Sequence, residues 1–163
     1  MNTFLVDGGA FGQSDIVFMT SDVEPNFQSK LFRFDMGVET FGVSTGSPFD
    51  SAFHGVTVLN GNILVSDYRA ERIERFSPSG THLGAFALTV SPTFLESDSS
   101  GNIYTTPVSL SPPVATRFNS SGAVTRVFND PLVFHELAGI DADAAGNVYI
   151  VNHAEAGGRH LAK

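Results

Sequence analysis

The chain of 163 residues has no cysteine, no tryptophan and only two lysines, Lys30 and Lys163. Without cysteine there is no disulfide framework and no thiolate metal site, and the redox compartment stays open. Charge is scarce as well: 16% of residues are charged and 42% are hydrophobic. That balance is too apolar for a disordered chain, and the length suffices for one domain with a core of its own. The charges that exist lean one way, with a formal net charge of −8 and a pI near 4.9. Such a surface repels phosphate backbones and anionic bilayers, so neither nucleic acid nor membrane is expected as a partner. No window approaches the roughly 18 apolar residues of a membrane helix. Met1 to Gly12 lacks the basic start and apolar stretch of a secretory signal. Read as it stands, the sequence is expected in the cytoplasm; read as a fragment of a longer protein, an exported one is equally expected.

What is present is a repeat. Arg33-Phe34, Arg75-Phe76 and Arg117-Phe118 stand 42 residues apart twice over, and Gly80 with Gly122 and Phe86 with Phe128 keep the same step. A fixed period of this size marks an architecture in which each unit buries its apolar face against its neighbours. The units read as strands. Glycine, proline, serine and threonine interrupt the chain every few residues, and short runs rich in Val, Ile, Phe and Thr lie between them.

The stretch from His54 to Phe86 shows one unit most clearly. Gly55–Leu59 is an apolar run, Asn60-Gly61-Asn62 a hairpin turn, and Ile63–Ser66 a second strand. A polar loop at Asp67–Glu71 leads to Arg72–Phe76, which alternates as a half-buried strand should. Ser77-Pro78-Ser79-Gly80 turns the chain into Thr81–Phe86. Four antiparallel strands in about 40 residues form a propeller blade. The other units follow. Gly101-Asn102 and Gly146-Asn147 precede strands Ile103–Thr105 and Val148–Val151, and Asp15–Met19 is their equivalent in the first unit. Thr3-Phe4-Leu5, Thr93-Phe94-Leu95 and Leu137–Asp141 are innermost strands. The expected fold is all-β, with blades over about 3–44, 53–90, 93–129 and 137–163 of a single partial propeller spanning 1–163. Aligning Arg72–Phe76 with His160–Lys163 ends the fourth blade one residue short of the expected phenylalanine. Blade one is expected to carry a long loop at Asp22–Lys30, and blade three a proline-bounded one at Pro107–Pro113.

Gly55–Asp67, with Arg72-Ile73 and Phe76–Gly80, resembles an NHL-type propeller repeat, and Gly139–Val151 resembles the first half of one. The resemblance implies a fold related to the virginiamycin B lyase, peptide-amidating lyase and gluconolactonase-like propellers. It implies little about activity, because a propeller hosts many. Rings of this kind close with about six blades, so three and a half leave open strand edges. Self-association, as a dimer closing a ring of about seven or eight blades, or the remainder of a longer propeller is expected to satisfy them.

Ligands of propellers bind where the innermost strands begin. His54 stands there, directly before Gly55, at a point where the related lyases carry histidines. His135 and Glu136 precede the fourth inner strand, and His153 lies in the loop on the same side. These histidines would suit a divalent metal, but no His-x-x-x-His spacing joins them, so no metal or other cofactor is assigned. Each also reads as an ordinary loop residue, and His54 as a loop cap. Asp67, Tyr68 and Arg69 follow the second strand of blade two on the same face, Asp67 resembling the family's loop organiser. Asp141 and Asp143 belong to the repeat pattern. The arginine series marks the exposed face of the third strands and the phenylalanines the blade interfaces. Asn119-Ser120-Ser121 fits a glycosylation sequon but sits in a repeat turn. No phosphate loop, nucleophile elbow or zincin motif occurs. Two functions follow: a binding or assembly module for a protein, peptide or sugar, or a lyase or lactone hydrolase using His54, with His135 and Glu136 as further catalytic candidates.

Overall fold

The computed structural model describes residues 4–11, 16–23, 28–35, 38–44, 53–88, 91–107, 113–130, 134, 136–143, 145–154 and 158–162. Fifteen strands follow one another with no helix among the described residues. The first sheet holds β1 (Phe4–Phe11), β2 (Ile16–Val23), β3 (Gln28–Asp35) and β4 (Val38–Ser44). The second holds β5 (Phe53–Leu59), β6 (Asn62–Asp67), β7 (Arg72–Phe76) and β8 (His82–Ala87). The third holds β9 (Phe94–Ser97), β10 (Ile103–Thr106), β11 (Ala115–Phe118) and β12 (Val124–Phe128). The fourth holds β13 (Glu136–Ala142), β14 (Val148–Ala154) and β15 (Gly158–Ala162). Every sheet is an antiparallel meander in chain order, the form of a propeller blade, the last with three strands among the described residues.

The first strand of each blade lies beside the first strand of the next: β1 by β5, β5 by β9, and β9 by β13. These four are the inner strands, and they run the same way. Gly55 of β5 lies against Thr93 and Leu95, whereas Thr57 reaches Glu96 and Ser97.

Three apolar cores fill the spaces between blades. Leu31 of blade one packs with Phe53, Val56, Ile63, Val65 and Phe76. The opposite face of blade two, with Leu64 and Ile73, meets Leu95, Ile103 and Phe118. Ala115 and Phe134 then meet Leu137 and Ile150. This explains why Ile63-Leu64-Val65 is continuously apolar: both faces of an interior blade are covered, and the alternation of a half-exposed strand disappears. Phe76 and Phe118 are 0% and 2% exposed, so these two phenylalanines of the repeat fill blade interfaces.

The same dipeptide marks a backbone irregularity. Arg33 pairs with Phe41 but Phe34 with Glu39; Arg75 pairs with Gly84 but Phe76 with His82; Arg117 pairs with Arg126 but Phe118 with Val124. In each complete blade the fourth strand carries one extra residue opposite Arg-Phe, a β-bulge that sharpens its twist. Two of the arginines serve this joint, whereas Arg33 donates to the Pro78 carbonyl of blade two at 3.0 Å. The Arg75 guanidinium donates to the bulged Leu83 carbonyl at 3.3 Å, and Arg117 Nε donates to Thr125 Oγ1 at 2.9 Å.

Two boundaries differ from expectation. β2 and β3 pair from Ile16–Asp35 through to Val23–Gln28, so most of the expected Asp22–Lys30 loop is hairpin. The inner strand of blade two begins at Phe53, two residues before Gly55.

Candidate functional site

The reason for that earlier start is a second bulge. Phe53 pairs with Asp67 and Val56 with Val65, so His54 and Gly55 together oppose Ser66. β1 repeats this at Asp7, between Val6–Ser21 and Gly8–Thr20. β13 repeats it at Ala138, between Leu137–Asn152 and Gly139–Val151. The extra residue precedes a glycine each time: Asp7-Gly8, His54-Gly55, Ala138-Gly139. β9 pairs in unbroken register and lacks the glycine. Bulges re-aim a side chain and are common beside functional sites.

Gly55 is required by contact. A Cβ there would lie 2.7 Å from the Leu95 nitrogen and the Thr93 carbonyl oxygen. The adjoining Ser66 hydroxyl, fully buried, accepts the Gly55 N–H at 2.7 Å and donates to the Thr93 carbonyl at 2.8 Å. One side chain thus closes the bulge and ties blade two to blade three. The Thr93 and Thr106 hydroxyls, both buried beside this joint, have no hydrogen-bond partner among the described residues. A buried hydroxyl left unpaired is costly, and a water or a ligand hydroxyl relieves it.

His54 is half-buried, and its ring meets the Tyr68 ring edge to face with centroids 5.5 Å apart and planes at 69°. Arg69, next along, is exposed. Asp67 is 0% exposed; Arg72 lies 3.5 Å away and the Ala70 N–H donates to its Oδ1 at 3.3 Å. Arg72 also pairs with buried Glu74, whose other oxygen is 2.7 Å from His82 Nε2. Asp67 is therefore enclosed and committed to the loop.

Glu136 is the first residue of β13 and stands opposite His153 of β14 in the backbone register, at the same end of the inner strands as His54. His135 and the side chains of Glu136 and His153 lie outside the described residues, which contain no cluster of three metal-ligating side chains. The residue in blade four that matches His54 is Ala138. Asp7 matches it in blade one and is a mouth position that sequence reasoning missed, although the shared Asp7-Gly8 and His54-Gly55 order was available.

The far end of the inner strands carries a second polar group. Thr57 Oγ1 donates to Glu96 Oε1 at 3.2 Å and lies 3.0 Å from Ser97 Oγ, and the Ser97 N–H donates to the same carboxylate at 2.8 Å. Burial pushes the Glu96 carboxyl above its ordinary range; the hydrogen bonds oppose this and the Asp141 charge adds to it.

The turns at that end are built around aspartates. Asp98 accepts from the Ser100 and Asn102 N–H groups, from Asn102 Nδ2 at 2.7 Å and from the Tyr104 hydroxyl at 2.8 Å. Asp143 accepts from Ala145 and Asn147 N–H groups, from Asn147 Nδ2 and from Tyr149 in the same way. Both turns spell Asp-x-x-Gly-Asn-x-Tyr. Burial works against the Asp98 charge, yet the Asn102, Tyr104 and Ser100 hydrogen bonds outweigh it and hold the carboxyl below its usual range. Asn147, first, holds Asp143 low, and Tyr149 and Ala145 add to this. Asn119 Oδ1 likewise accepts from the Ser121 and Ala123 N–H groups, which gives the sequon a turn-forming role.

No protein-family model matches the chain, and no curated protein matches it. Solved structures do. The nidogen/laminin complex aligns at 20% identity with a TM-score of 0.67, over 97% of this chain and 64% of that one. A catalytically inactive variant of virginiamycin B lyase from Staphylococcus aureus, solved with quinupristin, aligns at 16% identity with a TM-score of 0.65, over 100% and 74%. The fold is a β-propeller. The computationally designed Ika4 protein also aligns, at 12% identity with a TM-score of 0.62, over 96% of this chain and 89% of that one. Identities this low establish architecture and nothing about ligands. The chain spans under two thirds of the nidogen/laminin chain it matches and about three quarters of the lyase.

Proposed function

We propose that the chain is a binding module whose ligand, a protein, peptide or sugar, sits on the mouth formed where the inner strands begin. One observation supports this most. The His54-Gly55 bulge carries a half-buried His54 whose ring packs on Tyr68, with exposed Arg69 next in the chain. Amphipathic rings and a guanidinium recognise hydroxyl-rich or peptide surfaces. The enclosed, ion-paired Asp67 is poorly suited to act on a substrate, which weighs toward binding. We read the units as NHL-type on their Gly55–Asp67 and Gly139–Val151 patterns.

A second reading, lyase or lactone hydrolysis with a divalent metal, draws on the Glu136–His153 register at the same end as His54. Elemental analysis and a glycan and peptide array separate the two. The binding module predicts no stoichiometric zinc or calcium, and array signals that drop about tenfold in Tyr68→Ala and Arg69→Ala at unchanged melting temperature. Bound metal at one per chain, released in His54→Ala, would sink the binding reading in favour of the enzyme.

A further inference from the structure

Away from the mouth, β12 forms the outer edge of blade three and pairs only with β11 among the described strands. Its bulge at Thr125 brings two valines to one face: Val124 stands opposite Phe118, and Val127 opposite Thr116. Residues paired across strands share a face of the sheet, and Phe118 packs with Leu64 and Ile73, so this is the face toward blade two. Blade two has all four of its strands there, yet Val124 and Val127 are 53% and 54% exposed. The outer strands of the two blades approach at the turn before β12. Gly122 sits so close to the Phe86 ring of β8 that a Cβ would lie 2.7 Å from it, and β8 and β12 otherwise share no extended packing. Between two four-stranded blades, an apolar strip along β12 is left uncovered.

The other face of the same strand carries charge. Arg126 stands directly opposite Arg117. Like charges in cross-strand register cost stability, and a carboxylate beside them relieves the repulsion. Arg126 lies over the Phe128 ring and Arg117 Nε donates to Thr125, but among the described residues no carboxylate pairs with either. None is near in the chain: Asp and Glu are absent from 75 to 95 and from 99 to 129, although the net charge of the protein is −8. A strand added to an edge alternates its side chains between the two faces, and its main chain meets the unpaired donors and acceptors. We propose that the outer edge of β12 takes up an extended acidic segment of a partner protein as a further strand of blade three. Its apolar side chains lie against Val124 and Val127, and its carboxylates meet Arg126 and Arg117.

The test titrates residues 1–163 into a short, blocked, fluorescently labelled peptide that alternates valine with glutamate, and separately into its counterpart with lysine for glutamate, and follows anisotropy. The expected result is saturable binding of the glutamate peptide that weakens with added salt, at least about tenfold weaker binding of the lysine peptide, and a similar loss in Arg126→Gln and in Val127→Glu. Both residues are exposed, so these variants keep their fold, and their melting temperatures check that. Methylating the backbone nitrogens along one side of the peptide, which removes its strand donors, is expected to abolish binding. Equal affinity for the two peptides, full binding by Val127→Glu or by the methylated peptide, or no binding at millimolar concentration overturns the proposal. So does a dimer in light scattering that Val127→Glu converts to monomer, because a second copy of the chain then fills this edge. The mouth variants Tyr68→Ala and Arg69→Ala leave the titration unchanged, which keeps the two sites' outcomes separate.

Discussion

Gly55 and Asp98 show how much single residues decide here. Any side chain at 55 presses on the backbone of the next blade, which must shift to admit it. Gly55→Ala is expected to cost about 1–3 kcal/mol, the range for overpacking a filled site, as a lower urea midpoint at an unchanged slope. Ser66→Ala, beside it, leaves the Gly55 N–H without its present partner but makes no clash. Asp98 and Asp143 carry a pH signature. Their carboxyls sit below the ordinary range when folded, so the unfolded chain binds protons more readily than the native one. The stability they supply is present in full above the usual carboxylate range, about pH 4, and is lost as pH falls through the lower native values. An acid titration followed by circular dichroism is expected to show this decline, and Asp98→Asn to flatten it. An unaltered acid limb in Asp98→Asn would assign the effect elsewhere.

Among elements, the blade interface is the unit of stability. Phe118→Ala is expected to destabilise by about 3–5 kcal/mol, as truncation of a fully packed ring does. Phe128→Ala, whose half-exposed ring borders an open space between blades three and four among the described residues, is expected to cost clearly less. Equal losses in denaturant melts would mean that the third interface is as tightly filled as the second. The interfaces also explain what was legible in the sequence. Arg-Phe recurs at 42 residues because it marks one bulge in each of the first three blades and, in blades two and three, one buried ring. The strand ends were less legible: the inner-strand bulge breaks alternation at His54-Gly55, and the β2–β3 hairpin runs into polar residues that read as loop. The site was legible only in part. His54, Tyr68 and Arg69 follow from strand ends, but the pairing of buried Asp67 with Arg72 depends on cross-strand register, which no local pattern records. Glu96 was missed because its partner, Thr57, comes from the adjacent blade 39 residues earlier.

At the scale of the molecule, the strand edges among the described residues matter for assembly. Among the described residues β15 pairs only with β14, and Val151 on blade four is 37% exposed. Such an edge presents a row of backbone donors and acceptors that a further strand can meet. Self-association is our proposal for how residues 1–163 in isolation satisfy it. Light scattering is expected to give a dimer near 34.8 kDa, twice 17.4 kDa. A stable monomer at micromolar concentration would reject it, and polydisperse aggregates would reject ring closure between two copies.

The aspartate-centred turns of blades three and four bear on how the chain reaches this shape. Each gathers its hydrogen bonds within seven residues, from Asp98 to Tyr104 and from Asp143 to Tyr149. Closing so short a loop takes on the order of tens of nanoseconds, far less than bringing distant strands together. The second hairpin arm of a blade can therefore be seeded before its neighbours exist. During synthesis, a blade can assemble as its forty or so residues leave the ribosome, with the previous one already waiting as a template.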